Sequence, residues 1–298
     1  MSVFLHFLNT VLIFALLATG LNLVAGTGGM LNLSHAALAG VGAYTAVLLV
    51  MKAQWPWLAA FLAGGLLAAI TGLVIGAVTL RLRGDYFALA TLGFGVVAHA
   101  LFNNWISLTR GPMGIPGVPA PSLLGLTLRS PAAQAAYIAV VLALAFLTAR
   151  RLARSPWGRA LRAIRDDQFA ALALGKPALR FKVEAITIAG FFAGLAGAAQ
   201  GFYIRFIDPQ QFGLNLMISI LVAVLFGGLG NYWGSLLGAL MYVGLQHALS
   251  YIGLPPHLVG SGQQAILSVI LLLLMIFRPK GLLPEPPLTR PAKAGEAG

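Results

Sequence analysis

R-R-L-A-R-S-P-W-G-R-A-L-R-A-I-R-D-D-Q-F-A-A-L-A-L-G-K-P-A-L-R-F-K, residues Arg150–Lys182, holds nine of the chain's 19 Lys and Arg. Long apolar runs almost free of charge flank it on both sides. A basic cluster between apolar spans marks the cytoplasmic face of a membrane protein. The stretch also carries a helical pattern of its own. Ser155-Pro156 pairs an N-cap with proline at the first helical position. Leu161, Ile164, Phe169 and Leu172 fall near one face, and Gly175 and Pro177 are stop signals. The pattern predicts one or two short amphipathic helices outside the bilayer, broken near Asp166-Asp167. An ordinary positive-inside loop needs none of this, so a docking element for a soluble partner is the competing reading.

Composition sets the class. Apolar residues make up 59% of the 298 and charged residues 9%, against about 25% charged in soluble domains. The net charge of +12 lies in loops between apolar runs. That points to anionic lipid and cytoplasmic partners rather than nucleic acid. With no cysteine, disulfides and thiolate chemistry are excluded.

Working outward, about nine spans (eight to ten) are expected: Val3–Ala25, Leu33–Val50, Trp57–Leu80, Tyr86–Ile106, Pro131–Ala149, Val183–Tyr203, Leu214–Phe226, Tyr232–Ile252 and Val259–Phe277. The fold class is all-α polytopic membrane protein, with some helices interrupted. The transmembrane domain covers 1–283, including the loop 150–182, and a disordered cytoplasmic tail covers 284–298. With the basic stretch inside, alternation leaves Lys52, Arg110, Arg129 and Arg205 outside and the other fifteen basic residues inside, in accord with the orientation rule. Gly190, Gly194 and Gly197 form a small-residue face for close helix packing.

A weak repeat is visible. Gly28-Gly29-x-x-Asn32 recurs as Gly227-Gly228-x-x-Asn231. Interrupted helices in corresponding positions flank the route in many transporters, although glycine pairs also recur by chance among 36 glycines. The candidate route residues are Asn32, Ser34, His35, Gly228, Gly230 and Asn231. For His35 the competing reading is a packed histidine bonded to a backbone carbonyl. No G-x-x-x-x-G-K-[ST] and no H-E-x-x-H occurs, and the five histidines lack metal-ligand spacing. All seven acidic residues lie in loops, at span ends or in the tail. An ion-coupled secondary transporter usually needs a carboxylate at membrane depth, so that alternative is disfavoured. No nucleophile–base pair supports an intramembrane enzyme.

Five segments resemble one family: Gly158–Gly175 (G-R-A-L-R-A-I-R-D-D-Q-F-A-A-L-A-L-G), Gly26–Tyr44 (G-T-G-G-M-L-N-L-S-H-A-A-L-A-G-V-G-A-Y), Arg81–Gly95 (R-L-R-G-D-Y-F-A-L-A-T-L-G-F-G), Gly111–Ile115 (G-P-M-G-I) and Leu225–Gly234 (L-F-G-G-L-G-N-Y-W-G). Together they are similar to the permeases of branched-chain amino acid ABC importers, and closest to the M-type of the two paired permeases. The resemblance runs from Val3 to about Leu283. Gln168 departs from it, standing where an acidic residue is common. It implies a non-enzymatic permease of the bacterial inner membrane, for branched-chain amino acids or a related small polar solute such as urea or an amide. Its partners would be a second, H-type permease, two cytoplasmic ATPases and a periplasmic binding protein. ATP and Mg would sit on the partners, and no cofactor on this chain. It also implies a coupling element that docks on the ATPase. The residues assigned to that contact are Arg159, Leu161, Arg162, Ile164, Arg165, Asp167, Phe169, Ala170, Ala171 and Gly175.

Overall fold

Backbone amides in hydrocarbon must find partners within their own segment, and the apolar runs accordingly fold as helices. A computed structural model describes residues 2–79, 82, 85–123, 126–250, 266, 269, 270, 278 and 281–286. The helices are α1 (Ser2–Asn22), α2 (His35–Met51), α3 (Trp57–Thr79), α4 (Asp85–Asn104), α5 (Ile106–Thr109), α6 (Pro131–Arg154), α7 (Pro156–Asp166), α8 (Gln168–Ala173), α9 (Ala178–Ile204), α10 (Leu214–Gly227) and α11 (Tyr232–Ser250). A π-helical turn, Leu23–Thr27, prolongs α1, and a 3-10 turn, Pro209–Phe212, leads into α10.

Among the described residues, six segments are long and apolar enough to cross a bilayer: Val3–Thr27, Trp57–Thr79, Asp85–Asn104, Pro131–Arg154, Ala178–Ile204 and Pro209–Gly227. The expected second span is a shorter apolar helix, α2. The eighth corresponds to α11, whose last turns carry Gln246 and His247. The expected ninth, Val259–Phe277, lies outside the described residues except for Ile266, Val269 and Ile270. Arg81 and Arg83 also lie outside them.

The core is a slab of α2, α3 and α9 with α1 against it. The small-residue face of α9 makes this packing close. A Cβ on Gly197 would overlap the Ala39 carbonyl of α2, and one on Gly194 would overlap Ala68 of α3. Side chains larger than hydrogen would push these backbones apart, which is why glycine recurs at helix contacts in membranes.

Contacts along α1 give the ends of the molecule. At its start, Asn9 Nδ2 donates to the Pro131 carbonyl, 3.1 Å away, His6 bonds Tyr203, and Phe7 lies beside His247. Its other end meets Asn231 and Ser235. Residues near 6, 131, 203 and 247 thus share one end, and 22–30, 231–235 and α7 share the other. At the first end, β1 (Ile115–Pro116) pairs antiparallel with β4 (Phe206–Ile207), joining the Pro- and Gly-rich loop to the link after α9. Between them in sequence, β2 (Ser122–Leu123) and β3 (Leu126–Thr127) form a small hairpin.

The sequence reading ends the folded part at Leu283. In the structure the Asn231 Nδ2 donates to the Pro284 carbonyl at 3.0 Å, and Glu285 reaches two arginines of α7. Ordered packing therefore runs at least to Glu285.

Candidate functional site

The basic stretch folds as its local chemistry dictates. Ser155 caps α7, with its Oγ accepting from Gly158 N, and Pro156 occupies the first helical position. Asp167 leaves the helical region at φ −151° and caps α8, accepting from Phe169 N at 2.9 Å and Ala170 N at 3.0 Å. Gly175 closes α8 in the left-handed region at φ +74°, with Gly175 N donating to Leu172 O and Lys176 N to Ala171 O. This is the helix-ending geometry that glycine adopts without steric cost.

The two faces of α7–α8 do different work. Leu161 is fully buried against Val24, Met30, Phe87 and Ile186. Ile164 packs on Ala171, Ala178 and Phe181. Burying two such side chains stabilises the seat by roughly 2 kcal/mol each. Trp157 Nε1 donates to Glu184 at 2.7 Å and Lys182 Nζ to Gln168 Oε1 at 2.7 Å, fastening the element to α9. The outward side is apolar too: Phe169 is 66% exposed, Leu172 46% and Leu174 79%. Periodicity places Leu161, Ile164, Phe169 and Leu172 near one face, and docking is expected through Leu161, Ile164 and Phe169. The structure splits them, because Leu161 and Ile164 hold the element to its own chain and Phe169 lies on the open side. Arg159 is exposed, whereas Arg162 is buried.

Arg162 and Arg165 turn inward as well. Arg162 Nε lies 2.7 Å from Glu285 Oε1. Arg165 Nη1 donates to Glu285 Oε2 at 2.9 Å and to the Gly26 carbonyl at 2.7 Å, and its Nε donates to Asp166 at 3.0 Å. Burial disfavours the Arg165 charge, but hydrogen bonds and charge from Asp166 and Glu285 outweigh it and hold the guanidinium protonated above its ordinary range.

The two glycine breaks meet at this point. Asn22 donates from Nδ2 to Asn231 O (3.0 Å) and Ser235 Oγ (2.7 Å) and accepts from Gly230 N at 2.8 Å. A Cβ on Gly26 would collide with Gly230, and one on Gly29, at φ +65°, would collide with Arg165. Thr27 and Tyr232 bond across the same seam. Asn231 caps α11, its Oδ1 accepting from Trp233 N and Gly234 N. Asn22, Thr27, Tyr232, Ser235 and Glu285 are the residues that sequence reasoning missed. A polar Asn22 inside an apolar run, one turn before the Gly26 break, was the available signal.

The other candidate route residues lie deeper. Asn32, Ser34 and His35 are fully buried. Asn32 Oδ1 accepts from Ser34 N and Oγ, and His35 Nε2 meets the Leu17 carbonyl at 3.1 Å. Their neighbours Leu33, Ala36 and Ala37 line a partly open cavity of about 260 Å³, bordered also by Gly95 and His99 of α4 and by Phe212 and Asn215. His99 is anchored by the Pro209 carbonyl at 3.1 Å. The structure therefore does not gather the expected route residues into one site. Asn32–His35 back a cavity wall, whereas Gly228, Gly230 and Asn231 stand at the seam under α7. Among the described residues no cluster of His, Asp or Glu is placed to hold a metal.

A basic element outside the spans is thus seated on two helix breaks, and a separate cavity lies beside α2, α4 and the start of α10. Residues 3–278 match the family described as the branched-chain amino acid transport system permease component. The chain belongs to this permease family. It is 33% identical to the high-affinity branched-chain amino acid transport system permease protein LivM of Escherichia coli (strain K12), over 94% of this chain and 69% of that one. It is 27% identical to the probable branched-chain amino acid transport permease protein LivM of Methanocaldococcus jannaschii, over 76% and 69%. Identity to the permease protein LivH of Salmonella typhimurium is also 27%, over 92% of both chains. The higher identity over nearly the whole chain makes this an M-type permease, and the family supports the ABC permease over an ion-coupled carrier. It is a multi-pass membrane protein.

Proposed function

We propose that this permease is one half of the membrane pathway of an ATP-driven importer for branched-chain amino acids. An H-type permease forms the other half. Two ATPase subunits, which hold ATP and Mg, sit on the side of Arg150–Lys182, and a periplasmic binding protein delivers cargo at the opposite end in the bacterial inner membrane. Likeness to both LivM and LivH supports the permease pair. Nine crossings fit the connections. α11 starts at the α7 end, and Glu285 lies at that same end.

The observation that carries the reading is the exposed apolar strip of Phe169, Leu172 and Leu174 on an element held outside the spans. Apolar anchors supply most of the affinity of such contacts, and rim charges such as Arg159 orient them. The coupling surface is thus the outward side of α8 and its exit, and Leu161 and Ile164 form its foundation. In alternating access, closure of the ATPases would displace α7–α8, and the breaks beneath would carry that displacement toward the cavity. Leu174→Asp is expected to abolish co-purification of the ATPases while the permease accumulates normally. Full ATPase recovery with that variant would remove the docking assignment.

A further inference from the structure

We propose that Glu285, in the segment after the last expected span, is a working part of the transport cycle. It is the carboxylate latch that ties α7 to the α10–α11 break. The proposal rests on the coupling role given above to α7–α8.

Three observations carry it. First, Glu285 makes paired contacts with Arg162 and Arg165, and the Arg162 side chain is only 6% exposed. Charged groups this deep persist only when paired, since an unpartnered one carries the full cost of lost hydration. Second, the chain around Glu285 is woven into the break. Leu282 N donates to Phe226 O and Leu283 N to Gly227 O, both at 3.0 Å, meeting carbonyls at the end of α10 that no further helical turn would satisfy. Asn231 holds the Pro284 carbonyl. Gly230 has φ +79°, and a Cβ there would lie 2.7 Å from the Glu285 carboxyl carbon. Third, both walls of the cavity trace back to this point. One arm runs from Arg165 through the Gly26 carbonyl and the turn at Gly29 to Leu33–Ala37. The other runs from Glu285 through the Gly227–Asn231 break along α10, about 21 Å of helix at 1.5 Å per residue, to Leu214–Met217. Arg165 belongs to both arms. Displacing α7 therefore draws the α2 wall and the α10 wall together, and without Glu285 the second arm goes slack.

The test uses the assembled transporter in vesicles and reads ATPase co-purification, ATP hydrolysis and cargo uptake side by side. Glu285→Gln is expected to keep the ATPases bound and hydrolysing while uptake falls on the order of 10-fold, within the usual span of inter-site coupling. The exchange Arg162→Glu with Glu285→Arg leaves two cations around one carboxylate and is expected to restore most of the uptake. Unchanged uptake with Glu285→Gln overturns the proposal. So does parallel loss of ATPase binding and uptake that the exchange does not repair, which would make Glu285 a structural residue only. If Glu285→Gln does not accumulate, the exchange alone decides: uptake supports the latch, and none overturns it. Failure of the docking assignment shows separately, as indifference of ATPase binding to Leu174→Asp.

Discussion

Asn22 uses a single amide to close a seam between segments 208 and more residues apart in sequence. Its carbonyl oxygen takes the Gly230 N–H, and its amino group serves the Asn231 carbonyl and the Ser235 hydroxyl. Replacement by leucine matches the volume and takes a partner from the Gly230 N–H and the Ser235 hydroxyl, while the Asn231 carbonyl keeps the Ser235 N–H at 3.2 Å. Each unsatisfied buried group costs about 1–3 kcal/mol, so Asn22→Leu is expected to destabilise the permease by about 3 kcal/mol or more, seen as a clear fall in the thermal midpoint in detergent. Asn32→Leu is expected to cost less, because Asn32 serves one local turn. Arg162 illustrates the same scale for charge. Its side chain is 6% exposed where it meets Glu285, so the loss of thermal stability expected for Arg162→Ala should vary less with ionic strength than for a surface pair.

At the scale of elements, two glycines separate conformational from steric demand. Gly175 needs a left-handed backbone, yet nothing lies within 4 Å of where its Cβ would stand. Gly175→Ala should therefore cost about 1 kcal/mol, the price of that conformation alone. Gly197 is helical, and its Cβ would overlap the Ala39 carbonyl. Gly197→Ala should force α2 and α9 apart and lower the thermal midpoint several times further, which parallel melting of the two variants checks. The same elements show what could be read from sequence and what could not. The Ser155-Pro156 cap, the Asp167 break and the Gly175 stop are written in neighbouring residues, because caps and turns are local chemistry. The close-packing face of α9 was legible from spacing. Which side of α7 faces inward was not. Period 3.6 identifies a face but not the Val24, Met30 and Phe181 that cover it. Nor could spacing show that Glu285 returns to Arg165, since nothing local records a contact across 120 residues.

For the whole molecule, the contacts of α1 fix the relative ends independently of charge counting. Pro131, Tyr203 and His247 meet the start of α1, and Ser235 meets its end. The ion pair between Glu285 and α7 then places the C-terminal segment beside the basic stretch. Reporter fusions after Arg154 and after Pro286 are expected to report the same compartment, and one near Pro119 the opposite one. A common compartment for all three would break the arrangement. The charge distribution in the sequence had pointed the same way, because orientation depends on totals along the chain and not on any single contact.

The slab of α2, α3 and α9 meets backbone against backbone at Gly194 and Gly197, whereas the space beside α4 and α10 stands open at about 260 Å³. Hydrostatic pressure distinguishes such regions, since it favours whichever arrangement eliminates void. The α2–α9 contact has almost no volume to give up, whereas recesses of about 820 Å³ beside α3, α6 and α9 and about 260 Å³ beside α4 and α10 do. Pressure would therefore shift the helices that border those recesses, α4, α6 and α10, before it altered the seam between α2 and α9.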